Sequence, residues 1–253
     1  MKQLIIVPDV HGRDFWKKIK QHPDIPVIFL GDYLDPYTFE GISEEQAMDN
    51  FKEILDYTKN NKNVLLLIGN HDCGYMFDRE ICNCRTIANY HGARNLFRNN
   101  KELFKLAYTY HDILLTHAGV DSRWLVDMMK RGYIELTCCV EDDINSILDL
   151  PEGNIIKVLR DVSKRRGGIK DYGSVVWQDI SDFMSMTNPL GYKQIVGHTM
   201  QLKLNLNSKG MRYIPGPPKV NNYFNVACID CQQLFYLDEH DDLYSFNDEL
   251  VQF

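Results

Sequence analysis

Residues 4–12 read Leu-Ile-Ile-Val-Pro-Asp-Val-His-Gly, a short apolar run followed at once by chemically active side chains. The run is brief, β-branched and without polar alternation, which is typical of a strand buried on both faces. Asp9 and His11 then stand two positions apart, so an extended backbone points both side chains the same way. The stretch predicts a buried strand that delivers an Asp–His pair at its carboxyl end.

The same arrangement recurs further along the chain. Short apolar runs are found at Val27–Leu30, Val64–Ile68, Ile113–Thr116 and Gln194–Val196. Polar clusters end these runs, namely Gly-Asp-Tyr-Leu-Asp at 31–35, Gly-Asn-His-Asp at 69–72, Thr-His-Ala-Gly at 116–119 and Gly-His-Thr at 197–199. In an open parallel sheet, ligands bind at the carboxyl ends of the strands. Asp and Asn often cap the turn after a strand, which would explain one such cluster. The recurrence of polar residues after all five runs instead predicts one common site.

Helical patterns separate these runs, and the segment from Ser43 to Lys59 begins with a capping-box arrangement, Ser-Glu-Glu-Gln. Alternation of strands and helices indicates a largely parallel sheet. The C-terminal apolar runs lie close together between turn residues, which favours antiparallel strands in a second sheet stacked on the first. The predicted fold class is therefore α/β: an α+β four-layer sandwich of two stacked mixed β-sheets flanked by helices.

Residues 1–253 are predicted to form a single domain, because no Pro-, Gly- or Ser-rich linker divides the chain. Residues 122–166 are mostly helical in pattern and rich in charge, and we interpret them as a helical insertion or cap within that domain.

The composition narrows the class of partner. A net charge of −7 disfavours extended nucleic acid and anionic membrane surfaces. No apolar run approaches the roughly 20 residues that span a membrane. The N-terminal apolar stretch is too short for a signal peptide, and the seven cysteines lack a disulfide-framework spacing. These features predict a cytoplasmic protein with reduced thiols.

The residue types in the clusters suit metal ions. Carboxylate, amide and imidazole groups come from Asp9, His11, Asp32, Asn70, His117 and His198. Asp32 can bridge two cations through its two oxygens, and this mixed oxygen and nitrogen set favours Mn, Fe or Zn over Cu(I) or Ca. Two bound metals would outweigh the carboxylate charge and attract a phosphate ester.

Taken in order, the clusters resemble the calcineurin-like metallophosphoesterase superfamily, nearest its phosphoprotein phosphatase and bacterial diadenosine-tetraphosphatase branch. The superfamily pattern runs GDxHG, GDxxD, GNH(E/D), an H-x-G block and a late H. Here it spans Asp9 to His198, with Pro8 in place of the first glycine. The resemblance implies a phosphatase with two divalent or trivalent metal ions. It assigns Asp9, His11 and Asp32 to the first metal, and to the second Asp32, Asn70, His117 and His198.

The resemblance also implies a mechanism. A hydroxide that bridges the metals attacks phosphorus in line. His71 matches the general acid that protonates the leaving group, and Asp35 matches the carboxylate that orients the His71 ring.

The chain departs from the pattern at Asp35-Pro36, where protein phosphatases carry Asp-Arg and the arginine contacts substrate phosphate. Arg13 is one candidate replacement, and the basic run Lys164-Arg165-Arg166 is another. Tyr33 lies between functional carboxylates in the sequence, so it is a candidate substrate contact, with core packing as the alternative.

Three functions are weighed. A phosphatase would act on a phosphorylated small molecule, a nucleotide polyphosphate or a phosphoprotein. A phosphodiesterase or nuclease of the same superfamily is the alternative, although Met200 stands where nuclease-like branches often carry another histidine. A catalytically silent scaffold is the third, and the complete ligand set argues against it.

The segment 73–100 and the helical segment 122–166 are expected to shape the substrate pocket.

Overall fold

The computed structural model describes residues 1–77, 87–183, 191–207, 210–221, 225–247 and 249–252, and within 202–214 only the backbone. The strands are β1 (Leu4–Val7), β2 (Val27–Phe29), β3 (Val64–Leu67), β4 (Phe104–Lys105), β5 (Ala107–Tyr110), β6 (Ile113–Thr116), β7 (Lys193–Val196), β8 (Leu202–Asn207), β9 (Gly210–Pro215), β10 (Lys219–Asn221), β11 (Val226–Cys228), β12 (Phe235–Leu237), β13 (Leu243–Ser245) and β14 (Leu250–Val251). Part of the segment 73–100 lies outside the described residues, as do Tyr223 and Phe224, with which one of the C-terminal apolar runs begins.

Helical segments separate β1 from β2, β2 from β3, β3 from β4, and β6 from β7. The α-helices are α1 (Glu44–Asn60), α2 (Asn70–Met76), α3 (Tyr90–Arg98), α4 (Ser122–Lys130), α5 (Val140–Asn145) and α6 (Glu152–Leu159). Short 3-10 helices occur at Phe15–Gln21, Thr38–Glu40, Lys101–Leu103, Ser146–Asp149 and Lys164–Arg166. No helix among the described residues is long and apolar enough to cross a membrane.

Two mixed sheets form the centre of the molecule, and helices flank them, as the sequence predicts. One sheet has the order β14-β13-β12-β1-β2-β3-β4, and the other has the order β10-β11-β7-β6-β5. The strands β1, β2 and β3 are parallel to one another, as are β6 and β7. The fold class is therefore confirmed.

The division of strands between the sheets differs from the prediction. The sequence suggests that the first five apolar runs share one sheet and that the C-terminal runs form the second. Instead, β6 and β7 belong to the second sheet, while β12 pairs antiparallel with β1 in the first. A buried strand has an apolar surface on both faces, so its sequence does not specify the neighbour with which it pairs.

Alternation within β1 explains the layers. Leu4 and Ile6 lie in the core between the sheets, whereas Ile5 and Val7 lie in the core shared with the helices. Successive side chains of a strand point to opposite faces, so this one strand contributes to both cores. The polar residues that follow β1 therefore start from a backbone that is packed on both sides.

Helix α1 begins where the capping pattern predicts. The backbone N–H of Gln46 donates to Ser43 Oγ at 3.1 Å, and the N–H of Ser43 donates to Gln46 Oε1 at 2.8 Å. Phe51 and Ile54 are fully buried against the first sheet's outer core. Such reciprocal capping stabilises a helix start by roughly 1 kcal/mol.

The segment 122–166 is helical, as expected, and its side chains join the main core. Trp124, Met128 and Ile144 are fully buried in the same cluster as Phe51. The interpretation of this segment as an insertion or cap, and of the chain as one domain, stays a prediction.

Candidate metal centre

The predicted ligand residues come together at the carboxyl ends of strands from both sheets. Asp9 and His11 follow β1, Asp32 follows β2, Asn70 opens α2 after β3, His117 follows β6, and His198 follows β7. All six side chains are buried, with residue exposures of 0% to 8%. The site thus lies where the two sheets meet, and each sheet contributes ligands.

Two histidines are oriented by backbone carbonyls behind them. His11 Nδ1 lies 3.0 Å from Leu34 O and 3.1 Å from Asp35 O. His117 Nδ1 lies 2.8 Å from Leu30 O. A carbonyl oxygen can only accept, so Nδ1 carries the proton in each ring, and Nε2 presents its lone pair to the site. This is the arrangement that orients an imidazole for a metal ion.

Asp32 stands between these two rings. Its Oδ2 lies 3.6 Å from His11 Nε2 and 3.5 Å from His117 Nε2. Its Oδ1 accepts the backbone N–H of His71 at 3.0 Å, which fixes the carboxylate. One carboxylate oxygen therefore faces two separate groups of potential ligands.

Asn70 completes the group around His117. Asn70 Oδ1 lies 2.9 Å from both His117 Nε2 and His198 Nδ1, and these two nitrogens are 3.2 Å apart. His198 Nε2 is buried without a hydrogen-bond partner among the described residues. Three polar groups thus converge on one point, where either a proton on His198 Nδ1 or a shared cation satisfies them. Burial lowers the pKa values of both imidazoles, so the rings stay neutral and can offer a lone pair to a cation.

Asp9 is positioned by the last ligand loop. Both of its carboxylate oxygens accept the backbone N–H of His198, at 3.0 and 2.9 Å. A Cβ at Gly197 would overlap Asp9 Oδ1. The glycine is therefore needed for the loop to approach the carboxylate, which explains the Gly before the late histidine.

Burial sets the protonation of the cluster. Loss of hydration raises the pKa of Asp9, and the neighbouring Asp32 raises it further. Burial also raises the pKa of Asp32. The same desolvation lowers the pKa of His117 to about 3 and lowers the pKa of His198. Buried carboxylates repel each other, and a bound cation would relieve this repulsion. Buried imidazoles stay neutral, so their lone pairs can bind the cation.

The donor set fits metal ions. His11, Asp32 and His71 have ligand atoms within 4.8 Å of one another, as do Asp9, Asp32 and His117. Asp32 is common to both groups. Neutral imidazoles, an amide oxygen and carboxylates, without thiolate, suit divalent metals such as Mn, Fe or Zn.

The backbone is strained at four positions of the site. His11, Asp32, Asp35 and His198 have φ values of 47°, 53°, 60° and 67°. Non-glycine residues rarely adopt this left-handed region, and each such residue costs of the order of 1–3 kcal/mol. Strain of this kind persists where the surrounding packing imposes it. Here the left-handed backbone directs four polar side chains toward one site.

His71 and Asp35 form a pair beside the ligands. His71 Nδ1 lies 2.8 Å from Asp35 Oδ2, and Tyr75 Oη donates to Asp35 Oδ1 at 2.5 Å. The His71 side chain is 14% exposed, whereas that of Asp35 is 1% exposed. The ring of His71 stands edge-on to that of His11, with centroids 5.0 Å apart. A partly exposed imidazole is thus held by a buried carboxylate at the edge of the site.

Comparison with protein-family models matches residues 3–201 to the calcineurin-like phosphoesterase model. The match covers most of the chain and all six predicted ligand residues. The chain belongs to the calcineurin-like phosphoesterase family. It is accordingly a metal-dependent phosphoester hydrolase.

Solved structures agree on the fold. A point mutant of a cold-active protein tyrosine phosphatase is similar over 100% of this chain and 81% of its own, with 16% identity and a TM-score of 0.60. The cold-active protein-tyrosine phosphatase of the psychrophile Shewanella sp. has the same coverage and identity, with a TM-score of 0.54. At these identities the likeness shows the fold alone. Comparison with curated proteins finds no match.

One residue important to this phosphoesterase site was missed by sequence reasoning. Asp72 is fully buried, and its carboxylate accepts the backbone N–H groups of Asp32 at 2.7 Å, Tyr33 at 3.0 Å and Gly69 at 2.8 Å. It joins the loop after β2 to the start of α2. Its signal in the sequence is the acidic residue that ends the Gly-Asn-His-Asp motif at 69–72.

We expect Asp72→Ala to destabilise the protein by about 3 kcal/mol or more, because it leaves three buried N–H donors without an acceptor. It should also weaken metal binding about 10- to 100-fold, since Asp32 loses its support. Urea unfolding and Mn²⁺ titration measure the two effects. Asp49→Ala is the matched control, because Asp49 is exposed and pairs only with Lys52 among described residues. Equal urea midpoints for the two variants would contradict this role of Asp72.

The structure places Tyr33 in the core. It is 0% exposed, its hydroxyl donates to Leu67 O at 2.8 Å, and its ring stacks on Phe51. This buried position does not support the substrate contact predicted for Tyr33. It agrees with the alternative, that Tyr33 packs in the core. The residue is adjacent in sequence to Asp32, but its side chain points to the opposite side of the loop.

Arg13 is already engaged. Its Nε and Nη2 donate to the carboxylate of Glu40 at 3.0–3.1 Å, and its Nη1 donates to Asp9 O at 3.2 Å. Gln232 also donates to Glu40 Oε1, at 2.9 Å. The arginine is 8% exposed and connects the loop after β1 to the loop after β2. Its predicted role in holding substrate phosphate stays a prediction.

Arg166, the last residue of the basic run, lies at the other end of the site. Its Nη2 donates to His198 O at 3.3 Å and to Thr199 Oγ1, and its Nε lies 3.1 Å from Asp179 Oδ2. The side chain is 24% exposed. Its positive charge contributes to the lowered pKa values of His198 and His117, after desolvation.

Proposed function

We propose that this phosphoesterase is a phosphatase with a binuclear metal centre, acting on a phosphate monoester or a nucleotide polyphosphate. The observation that carries the proposal is the position of Asp32 Oδ2, which lies 3.6 Å from His11 Nε2 and 3.5 Å from His117 Nε2. One carboxylate oxygen between two imidazole lone pairs suits two cations better than one.

The ligands divide around that oxygen. Asp9, His11 and Asp32 are proposed for the first metal, and for the second Asp32, Asn70, His117 and His198. When bound, the two metals would generate the nucleophile from water at neutral pH and stabilise negative charge on phosphoryl oxygens. Backbone carbonyls orient the imidazoles of His11 and His117, and backbone N–H groups orient the carboxylates of Asp9 and Asp32.

His71 is proposed as the general acid. Asp35 Oδ2 accepts from His71 Nδ1, which leaves Nε2 to hold the proton that a leaving alkoxide requires. The buried carboxylate stabilises the protonated ring and fixes its direction, and Tyr75 Oη in turn fixes the carboxylate. Partial exposure of His71 allows a substrate to approach it.

Arg166 is proposed to attract the substrate phosphate on the side of the second metal. The guanidinium is partly exposed and is tied to the loop that carries His198. The negative charge of Asp179 partly offsets the positive charge of Arg166. Arg166 therefore attracts a phosphate less strongly than an arginine without a carboxylate partner would. Arg13 has Glu40 as a bidentate partner and is the weaker candidate for the same role.

The proposal is tested by a substrate panel with Mn²⁺-loaded protein: p-nitrophenyl phosphate, bis-p-nitrophenyl phosphate, diadenosine tetraphosphate, and peptides with phosphoserine or phosphotyrosine. We expect turnover of a monoester or of the polyphosphate, lost on chelation and restored by Mn²⁺. The His117→Ala protein is the negative control. Preferential cleavage of the diester would replace the proposal with phosphodiesterase activity. No turnover of any compound by protein shown to contain metal would contradict it and favour a scaffold.

A further inference from the structure

The loop after Asp35 directs a further side chain, that of Tyr37, at the metal centre. Tyr37 Oη lies 3.4 Å from His11 Nε2, and the two rings are 4.7 Å apart between centroids. Because His11 Nδ1 donates to backbone carbonyls, Nε2 is the nitrogen that faces the metal position. The hydroxyl therefore reaches the edge of the first group of ligands.

The ring of Tyr37 has two further neighbours. Phe39 stacks on it with centroids 5.5 Å apart and an interplanar angle of 23°, and the Arg13 guanidinium lies 5.5 Å from its centroid. Arg13 is itself fixed by Glu40, three residues after Tyr37. The short loop 36–41 is thus built so that the hydroxyl keeps its direction.

Tyr37 and His71 are both neighbours of one predicted ligand, His11. The His11 ring is 4.7 Å from the ring of Tyr37 and 5.0 Å from that of His71. Both side chains therefore border the position beside His11 Nε2 where the proposed function places the phosphoryl group. Tyr37 also stands two positions after Asp35, next to the place where protein phosphatases carry their phosphate-binding arginine.

The hydrogen-bond partner of the hydroxyl would change on metal binding. In the structure Tyr37 Oη faces the lone pair of His11 Nε2. A cation that takes this lone pair leaves the O–H without its acceptor. The acceptor that the reaction brings to this position is a phosphoryl oxygen.

We propose that the Tyr37 hydroxyl donates a hydrogen bond to a non-bridging oxygen of the substrate phosphoryl group, replacing the missing arginine. This inference rests on the proposed function. A phenol is a neutral single donor, whereas a guanidinium is a charged fork with several donors. The site therefore recognises the phosphoryl group on this side through a hydrogen bond, and the metals supply most of the attraction of charge.

The test compares Tyr37→Phe with Tyr110→Phe. The first removes one hydroxyl and keeps the ring that stacks on Phe39; the second removes a hydroxyl at the end of the β5–β6 hairpin opposite to His117. Three quantities are measured on Mn²⁺-loaded proteins: metal content, affinity for inorganic phosphate by calorimetry, and KM and kcat. For Tyr37→Phe we expect unchanged metal content, and phosphate affinity and kcat/KM lowered about 10- to 100-fold. Tyr110→Phe should match the wild type.

Two results would overturn the inference. Phosphate affinity and kcat/KM within about twofold of wild type would show that the hydroxyl does not contact the phosphoryl group. Loss of bound metal in Tyr37→Phe would show that the hydroxyl acts in holding the metal instead. The proposed function fails separately, if the wild type turns over none of the panel, and in that case phosphate affinity still decides the role of Tyr37.

Discussion

Asp32→Asn is expected to lower kcat/KM by about a thousandfold or more, because it removes the carboxylate oxygen that faces both His11 and His117. An amide has the same shape, but one of its two ends is a donor and it carries no charge. The metal content should fall below two ions per chain. Metal analysis of the purified protein and activity as a function of Mn²⁺ concentration measure the effect.

A loss of activity through unfolding is separable from this loss. Burial and the neighbouring carboxylates destabilise the charged form of Asp32, so its pKa is raised in the folded protein. Replacement by a neutral side chain should therefore leave the metal-free protein at least as stable as wild type toward urea at neutral pH. Asp49→Asn serves as a control for the substitution itself. Two tightly bound metals in Asp32→Asn would contradict the proposed bridging position.

His71→Asn is expected to lower kcat by about 10²- to 10⁴-fold on an alkyl phosphate, which needs a proton on its leaving oxygen. On p-nitrophenyl phosphate the loss should be much smaller, because p-nitrophenolate leaves without protonation. Asp35→Asn should show the same substrate dependence with a smaller loss, since it removes only the support of the ring. Steady-state kinetics with the two substrates measure this difference.

The pH profile gives a second check on His71. A general acid must be protonated to act, so its contribution declines as pH rises through its pKa, and the variant should lack this alkaline decline on the alkyl phosphate. Metal content should equal that of wild type, because Asn70 and Asp32 are retained. Equal losses on the two substrates would indicate that His71 acts on metal or substrate binding instead of proton transfer.

Much of the fold could be predicted from local patterns. The apolar runs locate β1, β2, β3, β6 and β7 to within a residue or two, and the pattern at Ser43 gives the start of α1. Polar residues directly after the strands are informative because strand ends converge. Local patterns do not show which strands pair with each other. The sequence therefore carries no local signal that β6 and β7 belong to a second sheet.

Side-chain direction limits the prediction of the site. The convergence of the six predicted ligand residues could be anticipated, because each follows a strand whose carboxyl end lies at the same edge. Tyr33 and Asp32 are neighbours in sequence, yet one enters the core and the other the site, as a left-handed backbone at Asp32 turns the chain. The engagement of Arg13 by Glu40 depends on a contact between residues 27 positions apart, which charge counting does not detect.

The pairing of β1 with β12 has a consequence for the order of events during synthesis. Leu4, Ile5 and Ile6 leave the ribosome long before their partners Leu237, Tyr236 and Phe235. The strand that carries Asp9 and His11 therefore keeps an unpaired apolar edge while most of the domain is translated, until β12 has emerged. A fragment trimmed to residues 3–201, the range that the family comparison matches, would keep Asp9 and His11 but lose β12, and β1 would then have an unpaired edge.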